Sequence, residues 1–183
     1  MTPATIDSET LYRDYARFVA AFLYRLGAHT SEVEDLVQDV FLAAHRKGGY
    51  VRGSASAATF LGRLALEAKL GKRRRDRRFQ TAQSADTALA LVSQAQDDPS
   101  AMVDRKRMAA RLQAALDAIE PNRRALFILF ELHGESCETI GAAFDLKLGT
   151  VYSRLHAARE QFKAHLKQQS SQDWARWSEQ ESS

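Results

Sequence analysis

Residues 136–167, SCETIGAAFDLKLGTVYSRLHAAREQFKAHLK, carry two helical patterns separated by a tight turn. They predict a short helix over residues 136–144, a turn at Asp145-Leu146, and a longer helix from about residue 148 to residue 167. The residues predicted to form the buried stripe of the longer helix are Val151, Leu155, Ala158, Phe162 and Leu166. Two helices joined in this way form a helix-turn-helix, a motif that places its second helix in the major groove of DNA.

The outer face of the longer helix carries side chains that suit contact with DNA. Six of them lie off the buried stripe, namely Thr150, Tyr152, Ser153, Arg154, His156 and Arg159. The first four are at the end of the helix that meets base edges, and the last two are placed for phosphates. An ordinary amphipathic helix with a polar outer face would show a similar pattern. The preceding helix, which Pro121 opens and which ends near Gly134, favours the helix-turn-helix.

The first half of the chain has the pattern of a helical bundle. Apolar residues recur at three- and four-residue steps from residue 8 to residue 26, and Gly27 then provides a left-handed stop. A second helix is predicted to start at Ser31, which stands in capping-box spacing with Glu34. A third helix starts near Ser56 and runs into a basic segment. The sequence has no strand-like alternation, so the predicted fold class is all-α, with two small helical domains joined by a linker.

The strongest local signal is a dense cluster of cations at the end of the third helix. Between Arg63 and Arg78 the chain has eight basic residues against Glu67 and Asp76, a local charge of +6 in a chain whose formal charge is +3. Such a density destabilises a helix unless a polyanion neutralises it. A solvated, frayed helix end is the alternative explanation, and nucleic-acid phosphate is the better one.

The second helix carries charge of the opposite sign. Glu32 and Glu34 lie near its start, where negative charge is favourable in any helix. Asp39 lies more than one turn further in, so that reason does not account for it. Together with Asp35 and Gln38 it forms an acidic face, which cannot approach DNA. We therefore expect two partners, a basic protein surface and a nucleic acid.

Residues 80–99, QTAQSADTALALVSQAQDDP, differ in composition from both halves of the chain. They contain no Lys or Arg, include three aspartates and close with a proline. We predict a linker here, between a domain at residues 8–79 and a second domain at residues 100–168. The second domain opens with a helix over about residues 100–118, whose inner face is predicted to be Met108, Leu112, Ala115, Leu116 and Ile119.

A polar segment at residues 169–183 follows the second domain and contains both tryptophans of the chain. A disordered end is the simpler interpretation of this segment. Trp174 and Trp177 nevertheless stand at helical spacing, which suits the docking of a short helical turn on the second domain or on a regulatory partner.

Two blocks of the sequence together resemble the bacterial RNA polymerase sigma factors. DLVQDVFLAAHRK (35–47), the loop VRGSASAATFLGRLA (51–65) and the basic run are similar to the second conserved region of that family. IEPNRRALFILFELHGESCETIGAAFDLKLGTVYSRLHAAREQF (119–162) is similar to the fourth region. Two such domains with no third between them resemble the extracytoplasmic-function group of the sigma-70 family, over roughly residues 8–78 and 100–167.

The resemblance implies an alternative sigma factor, which binds core RNA polymerase and directs it to promoter DNA. Asp35, Gln38 and Asp39 fall on the family surface that docks on the clamp helices of polymerase. The residues implied for the −10 element, at the base-capturing loop and the basic helix, are Arg52, Ser54, Thr59, Arg63, Lys72, Arg73, Arg74 and Arg75. Those implied for the −35 duplex are Arg123, Arg124, Thr150, Tyr152, Ser153, Arg154, His156 and Arg159. An anti-sigma factor is a further partner that the family admits and that the sequence does not assign.

This sequence departs from the family pattern at a few positions. Tryptophan is usual where Phe60 stands, and this change keeps an aromatic side chain. A basic residue is often found where Tyr152 and Ala157 stand. Because their replacement removes cations from the recognition helix, we expect an atypical −35 preference or affinity.

Composition and residue spacing argue against an enzyme or a membrane protein. Hydrophobic residues make up 45% of the chain and charged residues 27%, a balance typical of soluble globular proteins. The five histidines have no ligand spacing, and the single cysteine, Cys137, is expected to be a small buried thiol. We therefore expect no catalytic residue, no metal and no cofactor. Since no apolar run approaches the length of a bilayer span, we predict a cytoplasmic protein without membrane insertion.

The principal alternative is a helix-turn-helix repressor or activator that binds duplex DNA without polymerase. Such a regulator does not need an acidic face with Asp35 and Gln38, so the sigma factor is preferred. An adaptor that uses the fold only to hold a protein would leave the cluster at residues 73–78 without a function.

Overall fold

The computed structural model describes residues 5–53, 55–79 and 99–180, with side chains at residues 5–53, 55–76 and 105–171. Ser54 and most of the predicted linker lie outside the described residues. Seven helices account for most of the described chain, which confirms the all-α class. Two short strands, β1 (Thr5–Ile6) and β2 (Tyr50–Val51), pair in antiparallel orientation. The sequence did not predict them, because two residues are too few to show an alternating pattern.

The first half consists of α1 (Ser8–Arg25), α2 (Thr30–Arg46) and α3 (Ala57–Phe79). Helix α1 ends as predicted at Gly27, whose φ of +82° is a left-handed conformation that glycine adopts without strain. The side chains that α2 buries are Val33, Leu36, Val37, Val40, Phe41 and Ala44. Since these are the apolar residues at helical spacing, the periodicity alone was enough to identify the inner face of α2.

The start of α2 differs from the prediction. The residue before the helix is His29, and its backbone N–H donates to Glu32 Oε1 at 3.0 Å. Ser31 lies inside the first turn, with its hydroxyl 2.8 Å from the His29 ring nitrogen Nδ1. The predicted capping box of Ser31 and Glu34 is therefore wrong, because the helix begins one residue earlier and uses Glu32 instead.

The second half contains α4 (Pro99–Asp117), α5 (Pro121–Phe127), a π-helical turn (Ile128–Leu132), α6 (Cys137–Phe144) and α7 (Leu148–Gln180). Pro99 begins α4 rather than closing the linker, because a proline needs no N–H partner in a first turn.

The predicted inner face of α4 is correct only near the end of that helix. Ala115 and Leu116 are buried, as is Ile119 just beyond it. In contrast, Met108 is 66% exposed and Leu112 is 39% exposed. The prediction was wrong for these two residues, because among the described side chains of α4 only those of its last turns reach the core.

Helix α7 is much longer than the sequence pattern indicated. It continues without a break past Lys167 to Gln180, so the polar segment after residue 168 begins as part of the same helix. No glycine or proline follows Lys167 to end the helix. The side chains of Trp174 and Trp177 lie outside the described residues, and the docking of this segment remains a prediction.

The two halves pack on each other and share one hydrophobic core. The halves meet closely at Gly62 of α3, where a methyl group in place of the glycine hydrogen would lie 3.2 Å from Leu129 Cδ2 of the second half and 3.3 Å from Phe22 Cζ of α1. Phe18 of α1 also meets the His133 ring edge to face, with 4.7 Å between the ring centroids. In this structure the surfaces of the two predicted domains that face each other are therefore buried.

Candidate nucleic-acid interface

The helix-turn-helix is formed by α6, a tight turn and α7. Helix α6 starts after Ser136, whose hydroxyl accepts a hydrogen bond from the Thr139 N–H at 3.1 Å. It ends at Asp145, which has a φ of +53°. A side chain at Gly141 would begin 3.0 Å from the Leu146 carbonyl oxygen, so this position favours glycine. The predicted turn at Asp145-Leu146 is confirmed.

The outer face of α7 has the predicted layout near its N-terminus. Tyr152, Ser153 and His156 are exposed, and Thr150 and Arg154 are half-exposed. The Ser153 hydroxyl donates to the Thr150 carbonyl oxygen at 3.0 Å. The structure thus brings these five residues together on one accessible surface, on the opposite side from the buried Val151, Leu155 and Ala158.

Arg159 has partners inside the second half. Its Nε lies 2.6 Å from Glu131 Oε1, and its guanidinium group stands 5.2 Å from the centroid of the Phe130 ring. Both contacts tie α7 to the π-helical turn. In this structure Arg159 therefore stabilises the second half. The phosphate contact predicted for it stays a prediction, since its side chain is 42% exposed.

The neighbouring residues Arg123 and Arg124 have different surroundings. Arg123 is half-exposed, whereas Arg124 is only 6% exposed. Arg124 pairs with Asp117 at 2.6 Å and donates to the Ile119 carbonyl oxygen at 2.9 Å. Burial lowers the pKa of the Arg124 guanidinium, and the charge of Asp117 acts against that shift.

Arg124 therefore holds the start of α5 to the end of α4, and the DNA contact predicted for it is not supported. The sequence contained a signal that the Arg124 side chain points inward. Arg124 precedes Ile128 by four residues, so it falls on the apolar face of its helix. Ile128 is fully buried.

Several cations of α3 are neutralised within the chain. Lys69 pairs with Glu32 Oε1, and Lys72 Nζ lies 3.5 Å from Glu32 Oε2. Burial raises the pKa of Glu32, but the hydrogen bonds from Lys69 and the His29 N–H, with the charges of both lysines, bring it below its usual value. Glu32 thus joins α2 to α3. Its position near the start of α2 explained its negative charge, but did not predict these contacts with α3.

The acidic face and the basic cluster are neighbours on the surface of the bundle. Arg75 Nη2 lies 3.5 Å from Asp39 Oδ2, and both side chains are largely exposed. An open groove of about 560 Å³ between α2 and α3 is bordered by Asp39, Arg46, Arg74 and Arg75. Asp35 and Gln38 are exposed, and so are Arg73 and Arg74.

The loop before α3 was predicted to capture a base of the −10 element. Arg52 is exposed, but Thr59 is fully buried. The Thr59 hydroxyl accepts from the Ser56 N–H and donates to the Ser56 carbonyl oxygen, each at 2.9 Å. Thr59 is therefore part of the cap of α3, and it does not reach the surface as predicted.

The second half of the chain covers one side of this loop. The Ser56 hydroxyl donates to Glu135 Oε1 at 2.7 Å, across the contact between the two halves. Arg63 donates to the Ala143 carbonyl oxygen and to Glu67 Oε1, each at 2.9 Å. The contacts of Ser56 with Glu135 and of Arg63 with Ala143 join residues that are 79 and 80 positions apart, so local sequence patterns could not indicate them.

A second groove, mainly apolar, runs between α1 and α2. It has a volume of about 430 Å³ and passes beside Gln38 and Glu34. Its apolar wall includes Tyr12, Val33 and Val37. The exposed polar residues of α2 thus border a hydrophobic depression, a combination that suits a protein partner.

Three further expectations concern the cysteine, metal binding and membrane insertion. Cys137 is buried, and burial followed by the charge of Glu138 raises the pKa of its thiol, as expected for a structural cysteine. Among the described residues, no group of His, Cys, Asp or Glu has the arrangement of a metal site. Nor does any helix in the described part of the chain have the length and apolar character needed to cross a membrane.

Comparison with known proteins gives matches over both halves. A family model described as sigma-70 region 2 matches residues 11–79, and one described as sigma-70 region 4 matches residues 109–162. The ECF RNA polymerase sigma factor SigE of Mycolicibacterium smegmatis is 33% identical over 165 residues, which cover 90% of this chain and 63% of that protein. The RNA polymerase sigma factor YlaC of Bacillus subtilis is 27% identical over 86% of this chain and 91% of its own length.

Solved structures show the same fold. The sigma factor RpoE from Bartonella quintana, crystallised with the anti-sigma factor NepR, superposes with a TM-score of 0.62 at 22% identity, over 85% of this chain and 94% of that one. CnrH, solved with the cytosolic domain of CnrY, gives a TM-score of 0.58 at 21% identity, over 87% of each chain.

The chain belongs to the sigma-70 family of RNA polymerase sigma factors. It carries regions 2 and 4 in the order of that family, and its relatives place it in the extracytoplasmic-function group. The chain spans 63% of the length of the first of these relatives and most of the length of the second.

Proposed function

We propose that this chain is an alternative sigma factor, which binds core RNA polymerase in the cytoplasm and directs it to a set of promoters. The observation that carries the proposal is the joint presence of an exposed acidic face, at Asp35 and Gln38, and of an intact helix-turn-helix. A regulator that binds duplex DNA alone needs only the second feature. Sigma factors act by binding and not by covalent chemistry, so no residue of the chain is assigned a catalytic role.

Polymerase docking is assigned to Asp35, Gln38 and Asp39. All three are exposed, and Gln38 borders the apolar groove between α1 and α2. An interface of this kind combines apolar contact in the groove with polar contacts at its rim. Asp39 has to exchange its contact with Arg75 for one with polymerase. That exchange costs little, because the pair is exposed and 3.5 Å apart.

Promoter contact divides between the two halves. Arg52 and the cations Lys72, Arg73, Arg74 and Arg75 are assigned to the −10 region, and Arg63 joins them once its contact with the second half is released. Arg123, Thr150, Tyr152, Ser153, Arg154 and His156 are assigned to the −35 duplex.

The two halves have to separate when both promoter elements are bound. The positions −35 and −10, after which the elements are named, are about 25 base pairs apart, which corresponds to roughly 85 Å of duplex. A compact chain of this length has a radius of gyration of about 16 Å, so it cannot reach both elements while its halves are packed together. Residues 80–98 can span at most about 65 Å, which is enough for the halves to part while each covers its own element.

The relatives RpoE and CnrH were solved with NepR and with the cytosolic domain of CnrY. We include a protein inhibitor of this kind among the partners of the chain. Such an inhibitor acts if it holds the two halves in a form that cannot span the promoter.

Reconstituted transcription tests the proposal. Core polymerase with this chain is expected to initiate transcription on the DNA upstream of its own gene, and core polymerase alone is not. The double variant Asp35→Ala, Asp39→Ala should fold normally and bind core polymerase at least about tenfold more weakly. Glu138→Ala with Glu160→Ala is the matched control, because it removes the same charge from the second half.

Two outcomes would contradict the proposal. The first is undiminished co-purification of the Asp35→Ala, Asp39→Ala variant with polymerase. The second is tight and specific binding of duplex DNA by the isolated chain, together with no initiation by the reconstituted complex. The second outcome would favour the polymerase-independent regulator.

A further inference from the structure

Two large apolar side chains are exposed on the first turns of α7. Leu148 is 40% exposed and Tyr152 is 53% exposed, although both belong to a helix with a well-buried inner face. They are four residues apart, so they lie one above the other on the same side of the helix. Both residues are in the N-terminal turns of α7, and the N-terminal residues of a recognition helix are the ones that contact base edges.

The chemistry of the major groove limits what this pair can contact. Guanine presents two acceptors that suit arginine or lysine, adenine suits asparagine or glutamine, and cytosine presents a donor. The one apolar group on a base edge is the methyl group of thymine. Leu148 has no polar side-chain atom, and the hydroxyl proton of the adjacent Ser153 is already donated to the Thr150 carbonyl oxygen.

We propose that Leu148 and Tyr152 contact thymine methyl groups in the duplex bound by α7, and that they make thymine a required base of the −35 element. This inference rests on the proposed function and deepens it, since it names the base that the site selects. DNA is a better occupant of this surface than a protein, because the same end of the helix-turn-helix carries two cations, the exposed Lys147 just before α7 and the half-exposed Arg154 within its first turns. Both cations suit phosphates or guanine.

The proposal predicts the effect of removing a single methyl group from the DNA. A preferred duplex is first selected from a random pool with the complex of core polymerase and the full chain. Each thymine of the −35 element is then replaced, one at a time, by deoxyuridine, which lacks only the methyl group. At one or two positions the affinity is expected to fall about fourfold, the value of one buried methyl-sized group.

Variants identify the side chains that sense the methyl group. With Tyr152→Ala or Leu148→Ala, the affinity for the thymine duplex should fall, and the difference between thymine and deoxyuridine should disappear at one position. Leu132→Ala is the matched control, because Leu132 is 42% exposed and lies outside α7. This control should keep the full fourfold difference.

Three results would overturn the inference while leaving the proposed function intact. They are a selected −35 element without thymine, equal binding of thymine and deoxyuridine duplexes at every position, and loss of affinity on all sequences with Tyr152→Phe. The last result would mean that the tyrosine hydroxyl binds a phosphate. Failure of the complex to select any duplex would instead contradict the proposed function, and this inference with it.

Discussion

Helices α3 and α7 both face nucleic acid in the proposed function, yet they differ in charge. Helix α3 is dense in cations, and four of them, Arg63, Lys69, Lys72 and Arg75, have acidic partners in the chain. The N-terminal outer face of α7 consists mainly of uncharged side chains. In the proposed function we therefore expect α3 to supply affinity that depends on salt, and α7 to supply discrimination between sequences.

The comparison also corrects an argument from sequence. The charge density of α3 predicted that a polyanion is needed to stabilise the helix. The structure shows that Glu32, Asp39 and Glu67 already neutralise part of that charge. The chain can therefore form α3 before it meets DNA, and the remaining exposed cations, such as Arg73 and Arg74, are available for phosphates.

The largest expected effect concerns two adjacent arginines near the second DNA-binding surface. Arg124→Ala removes a buried cation and leaves Asp117 and the Ile119 carbonyl without their partner. We expect the free energy of unfolding to fall by about 3 kcal/mol and the melting temperature by roughly 10 °C. Arg123→Ala is the control and should change stability by less than about 0.5 kcal/mol while weakening duplex binding. Equal stability changes in urea denaturation would contradict the assignment.

The next prediction tests the division of labour between α3 and α7 directly. Arg154→Ala should weaken binding of the preferred duplex by about 1–3 kcal/mol and relax the preference at one −35 position. Arg74→Ala should weaken binding to every sequence and reduce the slope of log affinity against log salt by about 0.9 or less. Titrations of the polymerase complex at several salt concentrations distinguish the two effects. If both variants lose affinity equally on all sequences, α7 is not the recognition helix.

A smaller effect is expected where α3 meets α2. Glu32→Gln keeps the shape of the side chain and removes its charge from Lys69 and Lys72, which should cost about 1 kcal/mol of stability. Glu34→Gln is the matched control, since Glu34 is exposed near the start of the same helix. Its effect should be about a few tenths of a kcal/mol.

The pH dependence of Glu32→Gln has a defined sign. The folded-state pKa of Glu32 is lowered from 4.5, so its stabilisation is present above pH 4.5 and is lost as the pH falls through the folded-state value. The difference in stability between the native chain and Glu32→Gln should therefore shrink below about pH 4.5. A constant difference from about pH 7 to about pH 3 would show that Glu32 is not stabilised by the lysines.

These cases show how far the sequence alone could lead. The inner face of α2 and the turn at Asp145 follow from periodicity and local backbone chemistry, and both were predicted correctly. The burial of Thr59 and Arg124 was not predicted, because a family pattern marks a position and does not show whether its side chain points outward. The covering of the loop before α3 by the second half depends on residues 79 positions apart, which no local pattern contains.

The smallest effect should come from loss of the hydrogen bond between Ser56 and Glu135. Glu135 accepts a hydrogen bond from Ser56, so it links the loop before α3 to the second half. Glu135→Ala should lower the stability of the packed form by about 0.5–1 kcal/mol and expose the loop more often. In the isolated chain, binding of single-stranded DNA should then increase about two- to fivefold. Duplex binding through α7 should stay unchanged, because the outer face of α7 is accessible in the packed form as well.

Loss of a negative charge also favours DNA binding in general. Glu138→Ala, which removes an exposed carboxylate of α6 three residues from Glu135, measures that contribution. An equal increase with Glu138→Ala, or a parallel increase in duplex binding, would show that Glu135 acts only through its charge.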